Sequence, residues 1–427
     1  MPSRQENPRM TESISRRNLL RLAAIGVGGT ALAGRTDLAF AQTAPAGDPP
    51  IEGLSADEFA ALRPLASRGA ALLVRDADQG PRARITVLVR ARAPIATVRS
   101  VVSAPEQYTQ FMPTLSSVEI LSRRGSHTGF RFHVSAILFD VTTTSALHVV
   151  NDHRVDVDII QSDIGPGTSR WDLMEDGDDA TLVALTTRGD PSQGNWLLRQ
   201  VAARSPNAIA GMNISADMIL ALGVARHSEI VAGRHAPERP SRREAAPGVL
   251  DPPAPGPWMD LTRTVAIGAI TLDDEGVFKQ STMAVYSPEP AESICARLER
   301  VEGYSQIWRS MRDLRITARD GARVRYQSLV QSPLAQTRGE EEREVRAGAN
   351  GPIVTWRGVS GDHVGFDHRW DLVRVTGGGT VVMLTGGSEF NRTGGVTAAM
   401  IGRDVWLIPG YATSWKLIWM RPLLAAR

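Results

Sequence analysis

A four-residue sequence, Arg-Trp-Asp-Leu, occurs at 170–173 and again 199 positions later at 369–372. Flanking segments repeat in the same order, as shown by the pairs 108–112 with 304–308 and 181–186 with 380–385. Three matches in one order, at nearly one spacing, indicate an internal duplication. A repeat of about 200 residues has the length of a domain rather than of a solenoid unit, so the sequence predicts two tandem domains.

The chain has 427 residues, and its hydrophobic content of 42% is ordinary for a globular protein. Its single cysteine, Cys295, excludes a disulfide within the chain. Cys295 stands beside Ile294 and Leu298 in a helical pattern. We therefore expect a small buried side chain rather than a reactive thiol.

The N-terminus has the features of an export signal. Arg16 and Arg17 precede a weakly apolar run, and Ala39 and Ala41 fit the small-x-small rule for cleavage after residue 41. The segment 1–41 resembles twin-arginine (Tat) signal peptides, although Arg21 stands where that family prefers lysine. The resemblance implies the Tat translocon as a partner and a periplasmic location. An uncleaved anchor helix is the alternative, but the run is short and polar for a membrane span.

Removal of the signal changes the charge balance. Residues 1–41 hold six arginines and three acidic residues, so the high isoelectric point belongs partly to this segment. The remaining chain is nearly neutral, without a basic stripe interleaved with aromatic residues. Because such stripes are typical of nucleic-acid-binding proteins, we do not expect nucleic acid as a partner.

A proline-rich stretch separates the two halves. Residues 234–257 contain many prolines and charges and few apolar residues, which is typical of a semi-rigid exposed connector. The sequence therefore predicts a first domain over 51–233, a linker over 234–257 and a second domain over 258–427.

Each half shows the same order of predicted elements. Hairpins over 70–92 and 264–286 are each followed by a helix that begins near a proline, then by a long strand region. Residues 130–134 and 154–159 alternate apolar and polar side chains, which is typical of an antiparallel sheet with one solvated face. By this alternation Trp171 faces the core, whereas Arg170 and Asp172 face solvent.

Closing helices are predicted at the end of each half. In the first, over 206–231, an apolar stripe runs through Ile209, Met212, Ala216, Ile219 and Leu222. In the second, over 409–421, the stripe comprises Tyr411, Trp415 and Ile418.

This order, with its motifs, resembles the START-like (SRPBCC) superfamily, which includes coenzyme-Q-binding and polyketide-cyclase-like domains. The resemblance rests on Ala93-Pro94-Ile95, on Pro105-x-x-Tyr108-x-x-Phe111-x-Pro113 and on 118–121. The second half keeps Tyr304 but has Arg309 in place of Pro113.

The resemblance implies an α+β fold of two tandem helix-grip domains, in each of which a curved antiparallel sheet wraps around a long C-terminal helix. Members bind lipids, sterols, quinones or polyketides between helix and sheet, and a minority are enzymes. We therefore expect a hydrophobic small molecule or lipid as partner, and no cofactor. The first hypothesis is non-catalytic binding in one or both cavities. The alternatives are a polyketide cyclase or aromatase and a structural role for one repeat.

Inward-facing aromatic residues are the candidate ligand-binding set under this resemblance. Each of the tryptophans is equally interpretable as plain core. The candidates are Trp171, Trp370, Phe132, Phe366, His368 and Trp415.

If the protein is an enzyme, His368, Glu340 and Glu342 are the candidate catalytic residues. An inward His368 could act as acid or base, although a hydrogen-bonded core histidine is the simpler interpretation. The run of charges at 338–344 either lies on an exposed strand or places Glu340 or Glu342 in the cavity, balanced by an arginine. The Asp-His pairs at 362–363 and 367–368 are not expected to bind a metal, because two histidines five positions apart point to opposite faces of a strand.

Overall fold

Sixteen antiparallel strands form one continuous sheet in the described part of the chain. The computed structural model describes residues 51, 54–75, 84–135, 140–177, 179–190, 193–195, 199, 206–234, 250–273, 276–331, 336–387 and 407–426. The predicted signal segment and residues 235–249 of the predicted linker lie outside these ranges.

Each repeat contributes eight strands. The first repeat supplies β1 (Gly69–Arg75), β2 (Arg84–Ala91), β3 (Leu115–Arg124), β4 (His127–Ser135), β5 (Asp140–Asn151), β6 (Arg154–Ser162), β7 (Gly167–Glu175) and β8 (Thr181–Gly189). The second supplies β9 (Ala266–Leu272), β10 (Phe278–Ser287), β11 (Met311–Asp320), β12 (Arg323–Gln331), β13 (Gln336–Gly348), β14 (Gly351–Gly361), β15 (His368–Arg374) and β16 (Thr380–Gly386).

The order across the sheet is symmetric about its centre. It runs β11-β12-β13-β14-β15-β16-β10-β9-β1-β2-β8-β7-β6-β5-β4-β3. The two repeats therefore have the same internal order and meet where β1 pairs with β9, with Leu72 opposite Gly268. A side chain at Gly268 would place its Cβ 2.9 Å from the Cβ of Leu72, so this close approach requires glycine. The repeats, which the sequence assigns to separate domains, share this one sheet.

The helices are α1 (Ala56–Ala66), α2 (Ile95–Val102), α3 (Tyr108–Phe111), α4 (Pro206–Val231), α5 (Trp258–Leu261), α6 (Ala291–Glu299), α7 (Tyr304–Ile307) and α8 (Leu407–Ala425). The helix α4 packs on the strands of the first repeat, and α8 packs on those of the second. The predicted α+β class with two helix-grip repeats is thereby confirmed.

The two long helices cross each other through small residues. A Cβ on Gly410 would lie 2.7 Å from the Cα of Ser215, and a Cβ on Gly211 would lie 3.3 Å from the Cβ of Ser414. Gly211 and Gly410 are 199 positions apart, as are Ser215 and Ser414. The crossing is therefore symmetric and fixes the alignment of α4 with α8 at the spacing of the sequence repeat.

The repeated tyrosines close the turn that follows each short helix. Tyr108 donates its hydroxyl to the carbonyl of Val102 at 2.6 Å, and Tyr304 donates its hydroxyl to the carbonyl of Leu298. Both rings are buried. The repeated tyrosine motif is thus structural, because each hydroxyl satisfies a carbonyl at a helix end.

The central strands are covered on both faces, which corrects the prediction of one solvated face. A second apolar cluster, with Leu62 of α1 and Trp258 of α5, packs on the side of the sheet away from α4 and α8. Arg170 and Asp172 do point to that side, but they are buried under this cover and form an ion pair of 2.7 Å. The prediction holds only for the outlying strands, where Ile160 is exposed.

Cys295 is buried in α6, as expected. Burial raises the pKa of its thiol to about 11, so the thiolate that would react is disfavoured near neutral pH.

Candidate functional site

Strand register aligns the interiors of the two repeats position by position. Trp171 lies opposite Val155 and Leu185, and Trp370 lies opposite Val354 and Leu384. Two residues further along the same inward row, Ser169 pairs with Val157 in the first repeat, and His368 pairs with Trp356 in the second. The space between helix and sheet can therefore be compared directly between repeats.

Indole rings fill this space in the second repeat. Trp419 of α8 lies 4.9 Å from Trp308 and 5.6 Å from Trp356, measured between ring centroids. Trp356 lies 5.9 Å from Trp370, and the indole nitrogen of Trp308 donates to the carbonyl of Trp419 at 2.8 Å. Trp308, Trp356, Trp370 and Trp419 are all buried. These contacts run from the sheet to α8, so the interior of this repeat is solid packing.

His368 extends this packing toward the start of β15. Its ring lies 4.8 Å from that of Trp415, and it occupies the room left by Gly386, where a Cβ would approach His368 Nδ1 to 2.4 Å. Burial, followed by the charge of Lys416, lowers the pKa of His368 to about 3. The imidazole is thus neutral at physiological pH, and its Nδ1 has no hydrogen-bond partner among the described residues.

The first repeat carries smaller side chains at the corresponding positions. The pairs, first repeat before second, are Met112 and Trp308, Val157 and Trp356, Gly167 and Phe366, Ser169 and His368, Ala216 and Trp415, and Leu220 and Trp419. The opposite trend occurs at Phe132 against Ser328 and Phe111 against Ile307. Four tryptophans are therefore replaced by Met, Val, Ala and Leu in the first repeat, which leaves a cavity between α4 and the sheet.

The residues around this cavity are open to solvent. Ala216 is exposed, and Val157, Ser169 and Leu220 are half-buried although they occupy inward positions. Phe132 is also half-buried, and it packs with the partly covered apolar residues of β3, β5 and β6 against the core. Ala216 therefore does not belong to a buried stripe of α4, which corrects the predicted helix face. Ile219 and Leu222 of that stripe are buried, whereas the side chains of Ile209 and Met212 lie outside the described residues.

One end of the cavity is polar. Asp217 of α4 is buried and accepts a hydrogen bond of 2.5 Å from the hydroxyl of Thr187. Thr187 lies directly opposite Ser169 on β7. One helical turn before Asp217, the amide nitrogen of Asn213 lies 4.0 Å from the position of a Cβ on Gly189. Burial raises the pKa of Asp217 to about 7, so this carboxyl is largely protonated below neutral pH.

The second repeat has Lys416 at the position of Asp217. Its Nζ donates to the hydroxyl of Ser281 at 2.7 Å and to the carbonyl of Ala412 at 3.0 Å, and the side chain is completely buried. Burial lowers the pKa of Lys416 to about 7. The sequence interpretation missed both Asp217 and Lys416. The signal that could have found them is a charged residue in each apolar closing helix at the spacing of the repeat.

Glu340 and Glu342 lie outside the cavity, which corrects the prediction for these two residues. Glu340 accepts from Thr317 at 2.6 Å, and Glu342 pairs with Arg325 at 2.7 Å. The inward carboxylate of β13 is Glu341, which pairs across the sheet with the buried Tyr326.

Glu341 belongs to a buried polar group of the second repeat. It accepts a hydrogen bond from the Tyr326 hydroxyl, and one of its oxygens lies 3.1 Å from His363 Nδ1. His363 Nε2 lies 3.2 Å from the hydroxyl of Thr337. Among the described residues, His, Cys, Asp and Glu side chains form no group of three that could hold a metal ion.

The candidate ligand-binding residues thus divide between the two repeats. In the first, Phe132 borders the cavity, and Trp171 is buried with 1% exposure in the core below it. In the second, Trp370 and His368 are buried, while Trp415 and Phe366 are half-buried against the indole packing. The structure does not bring these residues together at one site.

Residues 92–216, which include most of the first repeat, match the family described as polyketide cyclase / dehydrase and lipid transport. The chain carries the START-like fold. The match covers the START-like repeat that has the open cavity and ends at Ala216. No curated protein matches the chain.

Solved START-like structures include three that illustrate the range of similarity. The Zhui aromatase/cyclase from Streptomyces sp. R1128 is 19% identical over 34% of this chain and 93% of its own, with a TM-score of 0.27. The di-domain ARO/CYC StfQ of the steffimycin pathway is 12% identical over 80% and 97%, with a TM-score of 0.27. The STAR-related lipid transfer protein of Xanthomonas axonopodis is 19% identical over 33% and 88%, with a TM-score of 0.28. Within the described residues, no helix combines the length and apolar character that a membrane span requires.

Proposed function

We propose that this protein binds an apolar small molecule or lipid in the cavity of its first repeat, and that the second repeat serves as a solid structural partner. The observation that carries the proposal is the replacement of four interior tryptophans by Met112, Val157, Ala216 and Leu220. Ligand sites are typically concave and mostly apolar, with a few polar groups that fix orientation. The match of residues 92–216 to a family that includes lipid transport supports the same interpretation.

The proposal includes export of the chain by the twin-arginine pathway and function in the periplasm. Its support is the arginine pair at 16–17 followed by the small residues at 39 and 41.

A second candidate function is acid–base catalysis on a polyketide-like substrate, and one observation favours it. Asp217 is a carboxyl at the polar end of the cavity with a pKa of about 7, and a group whose pKa lies near the working pH is suited to proton transfer. In this case Asp217, rather than His368, is the acid or base. A bound molecule would then be converted, whereas a binding protein would release it unchanged.

The test uses a neutral fluorescent probe, N-phenyl-1-naphthylamine, titrated into the purified full chain. We expect one saturable site per chain. In Val157→Trp and Leu220→Trp the introduced indole reproduces the packing of the second repeat, so binding should fall by at least about tenfold, which corresponds to about 1.4 kcal/mol.

Ile160→Trp is the matched control, because Ile160 lies on the same strand as Val157 but on the exposed outer face. It should bind the probe as the unmodified chain does. Undiminished binding to Val157→Trp and Leu220→Trp, with both variants folded, would exclude the first cavity as the site. Solvent extraction and mass spectrometry before and after incubation with a candidate substrate then separate binding from conversion.

A further inference from the structure

We infer that the polar end of the first cavity, formed by Asn213, Asp217, Thr187 and Ser169, selects a ligand whose polar head is uncharged, such as a hydroxyl or carbonyl group, and rejects carboxylates and phosphates. The inference rests on the proposed function, because it names the class of molecule that the same cavity accepts.

The four side chains form one compact polar patch on an otherwise apolar wall. Thr187 and Ser169 are neighbours across β8 and β7, and the Thr187 hydroxyl is already bonded to Asp217. Asn213 precedes Asp217 by one helical turn and therefore lies on the same side of α4.

The sheet leaves room beside this patch for a ligand head. The next inward row of the sheet places Gly167 opposite Gly189, so two adjacent strands lack side chains there. The second repeat has Phe366 at the position of Gly167. A small polar group can therefore lie over the two glycines, within reach of the patch.

The charges around the patch favour a neutral head. The inward-facing positions of β2, β6, β7 and β8 carry neither lysine nor arginine. On α4, Arg226 is paired with Glu229 at 3.2 Å, and burial lowers the pKa of His227, which stacks on Phe111. An anionic head would enter a partly buried site beside a carboxyl without a counter-charge, which is costly. A hydroxyl or carbonyl can exchange hydrogen bonds with Asp217 and the two side-chain hydroxyls.

The experiment compares two probes that share one apolar body and differ only in the head. We propose isothermal titration of the full chain with 2-naphthol and with 2-naphthoate at pH 7. We expect naphthol to bind at least about tenfold more tightly, which is the effect of about 1.4 kcal/mol.

Asp217→Asn should reduce this preference several-fold, because an amide can donate to a carboxylate and carries no negative charge. Thr187→Val, a nearly isosteric change, should weaken naphthol alone. Asp158→Asn is the matched control, since it makes the same chemical change on the exposed face of β6, and it should leave the preference intact. The preference of the unmodified chain tests the inference even if Asp217→Asn does not fold.

Equal binding of both probes, or tighter binding of naphthoate, overturns the inference. If Val157→Trp still abolishes that binding, the proposed function stands without it. If neither naphthol nor N-phenyl-1-naphthylamine binds, the proposed function itself fails.

Discussion

Asp217 and Lys416 occupy the same position in the two repeats, one with a carboxyl and the other with an amine, and both are buried. The symmetric crossing at Gly211, Ser215, Gly410 and Ser414 establishes the equivalence. Burial moves the two pKa values toward each other, to about 7 in each case. The duplicated helix position has therefore kept a costly polar residue in each repeat while its chemistry diverged.

Asp217→Asn should change the dependence of stability on pH. The pKa of Asp217 is raised from 3.8 to about 7, so the unfolded chain releases this proton first as the pH rises. The unmodified protein therefore loses stability between about pH 4 and pH 7, whereas the asparagine variant has no such loss. Urea unfolding across this range should show the variant gaining relative stability up to pH 7. A constant difference would contradict the prediction.

Lys416→Met should show a trend in another pH window. The pKa of Lys416 is lowered from 10.5 to about 7, so the folded chain favours the neutral amine. The stability of the unmodified protein should rise from pH 7 to about pH 10 as the unfolded chain also loses its proton. The advantage of the methionine variant, measured by urea unfolding, should therefore be largest at pH 7 and shrink at higher pH.

Gly410→Ala should destabilise the protein more than Gly211→Ala. The new Cβ would lie 2.7 Å from a backbone atom, the Cα of Ser215, in the first variant. In the second it would lie 3.3 Å from side-chain atoms, which can shift. Overpacking of this kind costs about 1–3 kcal/mol, whereas alanine favours a helix by up to about 1 kcal/mol over glycine. Chemical denaturation should give this order, and the reverse order would rule out the close crossing.

Trp171→Ala and Trp370→Ala should each cost about 3–5 kcal/mol of unfolding free energy, because both rings are buried in packed cores. Trp415→Ala provides a comparison, since this ring is half-buried, and its loss should be smaller. Denaturant titration measures all three. Free access of a polar collisional quencher to Trp171 or Trp370 would contradict the strand register.

Proteolysis within 235–249 should nick the chain without separating its halves. The prolines and charges of this segment predict an exposed connector. The pairing of β1 with β9 and the crossing of α4 with α8 should hold the products together. The nicked protein should elute as one species in gel filtration and separate only in denaturant. Early cleavage within 130–175 would be inconsistent with this prediction.

Replacement of the arginine pair should block export. Arg16→Lys with Arg17→Lys keeps the charge but removes the feature that the Tat pathway recognises. We expect the unprocessed precursor to remain in the cytoplasm, as measured by fractionation and immunoblotting. The alternating-charge control Arg4→Lys should be exported normally, and full export of the double variant would refute the Tat assignment.

Local patterns predicted most of the fold. The hairpins, the helices that follow them and the long meander all follow from alternation, from proline positions and from the repeat. The cover over Arg170 and Asp172 could not be predicted in this way, because it comes from α1 and α5, which are distant in sequence. A polar pair on alternate strand positions has the same pattern whether it faces water or a second layer.

The site was less accessible to sequence reasoning, for two physical reasons. The run at 338–344 has charges on successive positions, so it gives no apolar face to set the register, and Glu341 rather than Glu340 or Glu342 points inward. The equivalence of Asp217 and Lys416 depends on aligning two helices of unlike composition, and the tertiary contacts of Gly211 and Gly410 fix that alignment. The unequal sizes of interior residues were readable from the repeat once that alignment was known.

The pairing of β1 with β9 has a consequence for the origin of the molecule. A single repeat would leave the inner edge of this strand with unpaired amides and carbonyls, and the antiparallel register about Leu72 and Gly268 is one that two identical chains could adopt. A homodimer of such chains would have had two equal cavities. Joining the copies covalently allowed one partner to surrender its cavity to tryptophan and become ballast for the other, an asymmetry that identical subunits cannot acquire.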